Sequence, residues 1–418
     1  MKATNFRDET LKNVLNLAEE NSVIFLNMAT GSGKSKLALA IAESLITEEP
    51  IMYSNGEMSR DLQVIYPKIL VIIAERAHQR NWWDEFNKHN YGMLLQNTTF
   101  TCYASLHKFR NTGWDIIIVD ESHHLSELRL GHLSTLRFNK AVFLSATMKK
   151  AVKACIEYTF RDKKTCTYKV SLDDAITADI LPEPKIFIHK LTLNNTYRDL
   201  TIETGNKKSN KTIECKYPER WAYIKMYSKT AKIIIKCTEQ EKYNYLTDQV
   251  DYLKRRFMAD PSNIFAKNKW LRTALDRKIF LGKLKTDYAK VIINKEKDKR
   301  LICFCTDIEQ ANLLGGKDNI VHSKIKDVEK VIINFQLKSI NRLYCVNMLT
   351  EGMNLNSLDV GIIVQLDSEE LKIIQKLGRL LRSDSPKVHI TVYLNTRDSE
   401  YLDKVLETID NKYIKFIE

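Results

Sequence analysis

The stretch VIFLNMATGSGKS, residues 23–35, runs an apolar segment straight into a turn holding Gly31 and Gly33 and then a lysine and a serine. A strand that feeds a glycine-rich turn and opens a helix aims several backbone N–H groups, and the positive end of the helix, at one point in space. Such a point suits a phosphate chain, which the N–H groups of Thr30, Gly31, Ser32 and Gly33 would cradle. The Lys34 ammonium is placed to reach the β and γ phosphates and the Ser35 hydroxyl to ligate Mg²⁺. The strict pattern has glycine where this chain has Met28.

Working outward, short apolar runs recur at helix-length intervals: ILVIIA (69–74), FTCYA (100–104), DIIIVD (115–120) and AVFLSA (141–146). Strands that are apolar throughout, rather than alternating, imply a parallel sheet covered on both faces. The pattern returns with LICFC (301–305), RLYCV (342–346), VGIIVQL (360–366) and VHITVYL (388–394), which makes two α/β domains. The expected division is a first domain over 1–150, an interdomain crossing and first strand of the second domain over 151–204, a helical insertion over 205–298, and the remainder of the second domain over 299–418. In the insertion, Leu246, Val250, Leu253 and Phe257 mark one helical stripe, and Leu271, Leu275 and Ile279 a second.

The third strand of this series ends in DESHH, residues 120–124. Ligands of open parallel sheets sit beyond the carboxyl ends of the strands, so Asp120 and Glu121 are expected beside the phosphates. Asp120 would hold Mg²⁺ and Glu121 would orient and deprotonate an attacking water, which makes hydrolysis the implied reaction. The alternative, zinc held by His123, His124 and His132, is disfavoured: adjacent histidines diverge, and no cysteine cluster completes four ligands. In IIQKLGRLLRS (373–383), Arg379 and Arg382 stand one helical turn apart and can neutralise charge from across a cleft.

With 418 residues, 44% of them hydrophobic, the chain can fill the cores of several domains. Its eight cysteines form no CxxC pair, which suits a reducing cytosol and excludes a disulfide framework. No apolar run is long enough for a membrane span or a signal peptide, so a cytoplasmic protein without membrane partners is expected, in the host cytoplasm if viral. The net charge is +13, and residues 201–300, with 25 Lys+Arg against 12 Asp+Glu, hold the whole excess. Charge gathered this way fits a polyanion, the alternative being a solvated basic face.

MATGSGKS, DESH at 120–123, SAT at 145–147 and QKLGRLLR at 375–382 follow one another as in the superfamily-two helicases, the DExH group, which this chain resembles over about 5–150 and 300–395. The resemblance implies two RecA-like domains that close on ATP and Mg²⁺ and move along a nucleic acid. It gives Lys34 and Ser35 to phosphates and Mg²⁺, Asp120 and Glu121 to metal and water, Arg379 and Arg382 to arginine-finger duty, and Gln375 to the interdomain contact. It further implies that Ser145 and Thr147 couple hydrolysis to nucleic-acid grip. TEGMNL (350–355), with Gly352 and Asn354, resembles the segment that senses nucleotide from the second domain. ILVIIAERAHQRNWWDEF (69–86) and CYASLHKF (102–109) are similar to nucleic-acid contact segments. Of Trp82 and Trp83, which could stack on bases, one is expected in the core. For Trp221, Tyr223, Tyr227 and Trp270, helix packing is favoured over stacking on bases.

The EGMNL form, with TEQEKY (238–243), is similar to Swi/Snf-type translocases and to phage-encoded helicases, which makes DNA the preferred track and RNA the alternative. Replication or repair proteins are the expected partners. Three readings stay open: a helicase that separates strands, a translocase on duplex DNA that does not, and an ATP-gated nucleic-acid clamp. FRDET (6–10) has no glutamine to read adenine, which leaves the strictness of ATP preference open.

Overall fold

The structure, a computed structural model, describes residues 2–418 apart from 30, 53–57, 77, 147, 204–211, 217–231, 317, 326, 347–357, 367–384 and 408. The first α/β unit contains β1 (Val23–Met28), β2 (Thr47–Met52), β3 (Met58–Ile65), β4 (Ile69–Ile73), β5 (Thr98–Cys102), β6 (Gly113–Val119), β7 (Arg137–Ser145) and β8 (Thr165–Val170). Six of these form a sheet in the order β5-β4-β6-β7-β1-β8, parallel throughout, while β2 and β3 pair as an antiparallel hairpin. β8 falls after residue 150, in the stretch expected to be crossing, and still pairs with β1 in register Val23↔Thr165.

The period of two along β1 explains why both faces are apolar. Ile24, Leu26 and Met28 enter one core with Val14, Ala18 and Leu37 from the flanking helices Lys2–Glu20 and Lys34–Glu43, while Val23 and Phe25 enter the other with Ile117 and Phe143. Each such side chain taken fully from water stabilises by roughly 1.5–3 kcal/mol.

The second unit has β9 (Lys185–Leu191), β13 (Leu301–Phe304), β14 (Ile320–Val321), β15 (Arg342–Cys345), β16 (Val360–Ile363), β17 (Lys387–Tyr393) and β18 (Ile414–Ile417). They form a parallel sheet in the order β14-β15-β13-β16-β17-β9-β18. β9 sits inside that sheet although it precedes the basic segment in sequence, so the chain leaves the second unit after one strand and returns near residue 300.

The excursion differs from the sequence expectation of helix across 205–298. Two strands lie within that range, β11 (Thr212–Lys216) and β12 (Lys232–Cys237), and they join β10 (Arg198–Glu203) from just before it in a three-stranded sheet, β12 in the middle, antiparallel to β10 and parallel to β11. Three successive isoleucines in KIIIKC stiffen the chain at χ1 and favour a strand. Helices Glu239–Ala259, Ile264–Leu284 and Thr286–Lys295 follow, the first opened by a capping box in which Thr238 and Glu241 bond each other's backbone N–H groups.

The first predicted stripe is buried at Leu246, Val250 and Leu253, and Phe257 stacks on Trp270 with ring centroids 5.8 Å apart. The second is not: Leu271 and Leu275 are 50% and 49% exposed, and the inward positions of that helix are Ala266, Arg277 and Leu281. Apolar spacing marks a stripe without saying which neighbour covers it. At the base of this pair of helices, Leu281 packs with Leu193, Tyr243 and Tyr393. There the wholly buried Lys285 donates to Gln365 Oε1 and the Thr391 carbonyl, both at 2.9 Å, and to Asp398 Oδ2 at 2.6 Å. Among the described residues no helix is long and apolar enough to cross a membrane.

Candidate nucleotide site

β1 ends at Met28, and the chain turns through Gly31 (φ 88°) and Gly33 (φ 95°) into the helix Lys34–Glu43. Both glycines are in the left-handed region that a Cβ disfavours, and a Cβ on Gly31 would also lie 3.2 Å from Leu181 Cδ2. No side chain caps the helix at Gly33, which leaves its first N–H groups directed at the turn. Ser32 is buried and donates its hydroxyl to the Ala29 carbonyl at 2.7 Å, bracing the turn from inside. Lys34 lies over the loop, its ammonium donating to the Met28 carbonyl at 2.9 Å and the Ala29 carbonyl at 3.3 Å. Ser35 follows in the first helical turn, half-buried.

Asp120 and Glu121 stand at the carboxyl end of β6, and the order β6-β7-β1 puts the strand ending in Ser145 between them and the glycine turn. All three strand ends therefore share one edge of the sheet. Both Asp120 carboxylate oxygens accept hydrogen bonds at 2.9 Å, Oδ1 from the Glu121 backbone N–H and Oδ2 from the Trp82 indole N–H. The Asp120 carbonyl accepts from the Tyr103 hydroxyl at 2.6 Å. Glu121 has φ 45° and ψ 51°, a left-handed conformation unusual for a residue with a side chain and one found disproportionately at working sites. Its Oε2 is 3.5 Å from His123 Nδ1, which is also 3.4 Å from Ser145 Oγ. Ser122 Oγ donates to the Leu144 carbonyl at 2.9 Å, a second tie between the DESH turn and β7.

Lys34, Ser35, Asp120, Glu121, His123 and Ser145 are thus brought to one sheet edge. Thr30, Thr147, Gly352, Asn354, Gln375, Arg379 and Arg382 lie outside the described residues, as do Trp221, Tyr223 and Tyr227. His123 lies near Glu121 and Ser145 of its own domain. The two adjacent histidines do not diverge: their ring centroids are 4.2 Å apart, while His132 Nδ1 engages Arg110 at 3.1 Å. No group of three or more His, Cys, Asp and Glu among the described residues could hold a metal unaided.

Sequence reasoning missed the roles of Trp82 and Tyr103 around Asp120. Trp82 is the core member of the tryptophan pair, 2% exposed against 46% for Trp83. Adjacency of the two rings signals one inward face, but nothing in the sequence links position 82 to position 120. Chemically, the edge offers an ammonium, a hydroxyl and the backbone N–H groups of the turn on one side and two carboxylates on the other. That donor set fits a magnesium-bound polyphosphate: the ammonium and N–H groups would take phosphate oxygens, and Ser35 and Asp120 would take the metal.

Residues 1–150 match the family described as type III restriction enzyme, res subunit, and residues 284–384 match the helicase conserved C-terminal domain. The ATP-dependent RNA helicase SUB2-1 of Vanderwaltozyma polyspora is 23% identical over 193 residues, covering 41% of this chain and 42% of that protein. The ATP-dependent RNA helicase SUB2 of Candida glabrata is 24% identical over 194 residues, with 41% and 42% covered. The match spans less than half the length of these curated relatives. Among solved structures, S. cerevisiae Dbp5 bound to RNA and ADP BeF3 superposes with a TM-score of 0.52 at 11% identity, over 95% of this chain and 85% of that one. The ATP-dependent Type ISP restriction-modification enzyme LlaBIII bound to DNA gives 0.52 at 15% identity, over 98% and 31%. At such identities the structures speak to fold, and the fold they share is a pair of RecA-like domains. With both halves matched in order and the glycine turn and DESH placed on one sheet edge, the chain belongs to superfamily two of the helicases.

Proposed function

We propose that this chain is a nucleic-acid-dependent ATPase that converts ATP hydrolysis into movement along DNA and separation of its strands. The observation that carries the reading is the placement of Lys34 and of the Asp120–Glu121 pair at the carboxyl edge of one parallel sheet. Lys34 and the N–H groups of Gly31–Ser35 receive the β and γ phosphates; Ser35 and Asp120 hold Mg²⁺. Bound there, Mg²⁺ would supply positive charge against the phosphates. Glu121 orients the attacking water and takes its proton. His123, 3.5 Å from Glu121 Oε2 and 3.4 Å from Ser145 Oγ, carries the state of that carboxylate to Ser145 at the end of β7.

Arg379 and Arg382 supply charge from the second domain, with Gln375 at the interdomain contact and Gly352 and Asn354 sensing nucleotide. An arginine so placed can contribute about 10³–10⁵ in rate. The concentration of positive charge in residues 201–300 supports a polyanionic track. DNA is preferred for the Swi/Snf-like segments and the res-subunit match; the RNA-helicase names of the curated relatives favour RNA as the second reading. Replication or repair proteins are the partners this activity calls for.

The test is hydrolysis measured in parallel with single-stranded DNA, duplex DNA and RNA, followed by fluorescent unwinding on the best activator. Stimulation by single-stranded DNA with unwinding supports the reading. Stimulation by duplex alone without unwinding makes the chain a translocase, and absence of stimulation by any of the three overturns the motor.

A further inference from the structure

The helix His78–Lys88 has two faces with different chemistry. His78, Trp82 and Phe86, four residues apart, are buried; Arg80, Trp83, Asp84, Asn87 and Lys88 are exposed on the outer face. The inner stripe reaches the nucleotide edge directly, because the Trp82 indole N–H donates to Asp120 Oδ2 at 2.9 Å. Phe86, one turn further, packs against the Trp82 ring, with centroids 6.4 Å apart, and edge-on against Phe100 of β5 at 6.3 Å. The outer face combines two cations, Arg80 and Lys88, with an indole and an amide, groups that take phosphates, a base face and a base edge, and the Asp84 carboxylate among them is outnumbered by the cations. One short helix thus carries a surface suited to a nucleic-acid strand and, one residue away on its other side, the hydrogen bond that fixes a carboxylate for Mg²⁺.

We infer that this helix is the element through which a bound strand acts on hydrolysis, with Trp82 as the positioning residue that holds Asp120 in line. The inference rests on the reading of the chain as a nucleic-acid-dependent ATPase. A strand drawn onto Arg80 and Trp83 shifts or steadies the helix, and the indole transmits that to Asp120 because both carboxylate oxygens are tied, Oδ2 to Trp82 and Oδ1 to the turn. Helix and carboxylate then move as one body, and the Mg²⁺ site is completed best when the outer face is occupied.

Trp82→Phe keeps a ring in the core and deletes the donor. Expected are a fall of at least fivefold in stimulation of hydrolysis by a single-stranded oligonucleotide and a rise of at least threefold in the Mg²⁺ concentration for half-maximal rate. Oligonucleotide affinity should stay within twofold. Phe86→Leu disturbs the same helix and loosens the packing on the Trp82 ring but leaves the donor to Asp120 in place, and should move neither quantity. A second readout leaves the indole in place: with Trp114, Trp221 and Trp270 changed to Phe and Trp83 to Tyr, a ring that still stacks on a base, Trp82 is the sole tryptophan, and its emission should shift when the oligonucleotide is added without nucleotide at a concentration that saturates this variant. Parent-like stimulation and Mg²⁺ requirement in Trp82→Phe, equal effects from Phe86→Leu, or an unmoved emission each overturn the inference. A parent protein that no nucleic acid stimulates overturns the motor itself.

Discussion

Lys34 donates its ammonium hydrogen to the carbonyl oxygen of Met28, 2.9 Å away, so the residue that starts the helix is fastened to the end of the strand before it. The side chain is therefore held over the glycine turn by the protein itself and needs little reordering to meet a phosphate. A charge-assisted hydrogen bond contributes about 1.5–3 kcal/mol. Lys34→Ala should accordingly weaken nucleotide binding by about 10- to 150-fold in a fluorescent-nucleotide titration, with the melting temperature close to the parent's.

Glu121→Gln should separate binding from chemistry. Glutamine keeps the size and the left-handed backbone at φ 45° but cannot take a proton. Loss of a general base costs about 10²–10⁴ in rate. Single-turnover hydrolysis should fall by that factor while nucleotide affinity stays within a few-fold; turnover near the parent rate would remove Glu121 from the mechanism.

Lys285 and Asp398 form a wholly buried ion pair that joins the inserted helices to the second sheet. Desolvation lowers the lysine's pKa, opposed by the carboxylate beside it. Truncating one member leaves the other charge buried and unpaired, which costs about 3–5 kcal/mol. Lys285→Met should therefore destabilise markedly in denaturant unfolding, and Lys285→Met with Asp398→Leu should recover much of the loss.

His189 Nε2 and His389 Nδ1 meet at 2.9 Å in the second sheet, and burial pushes both pKa values down to about 4. Lys295, Lys387 and the other imidazole oppose protonation further, while Glu296, 3.6 Å from His389 Nε2, favours it. Both are neutral in the folded protein, whereas the unfolded chain binds protons below its ordinary value near 6.5. The stability they contribute is present above about pH 6.5 and lost as pH falls toward about 4. Thermal unfolding followed between those limits should show a midpoint that drops with pH, and His389→Phe should flatten that slope.

Lys254, Arg255 and Arg256 are exposed on one helix of the basic segment. Replacing all three by alanine should reduce the dependence of log affinity on log salt by up to about 0.9 for each duplex phosphate that is no longer neutralised. An unchanged slope would make this a solvated basic face.

How much of this was legible beforehand follows from the kind of signal each part leaves. VIFLN, ILVIIA and DIIIVD read directly as strands because parallel strands buried on both faces are apolar at every position. The glycine turn was legible because only a few residue types accept φ near 90°. β8, TCTYKV, was not, because it lies at the edge of its sheet with exposed and half-buried positions alternating. The sheet β10-β12-β11 was not, because its strands are only five or six residues long and lie beside two helical stripes that set the reading of the whole stretch. One of Trp82 and Trp83 could be sorted into the core, but not which, and neither onto Asp120, since a hydrogen bond across 38 positions depends on which strands lie side by side.

The placement of β9 bears on how the protein can be built and cut. β9 lies between β17 and β18, yet its partner β17 is synthesised about 200 residues later, a wait of roughly 10–40 s at ordinary translation speed. Until then the strand offers two open edges of the kind that invite aggregation. A fragment begun at residue 299 would likewise strand β18, so any attempt to isolate the second half must start upstream of Lys185 and carry the whole basic excursion with it.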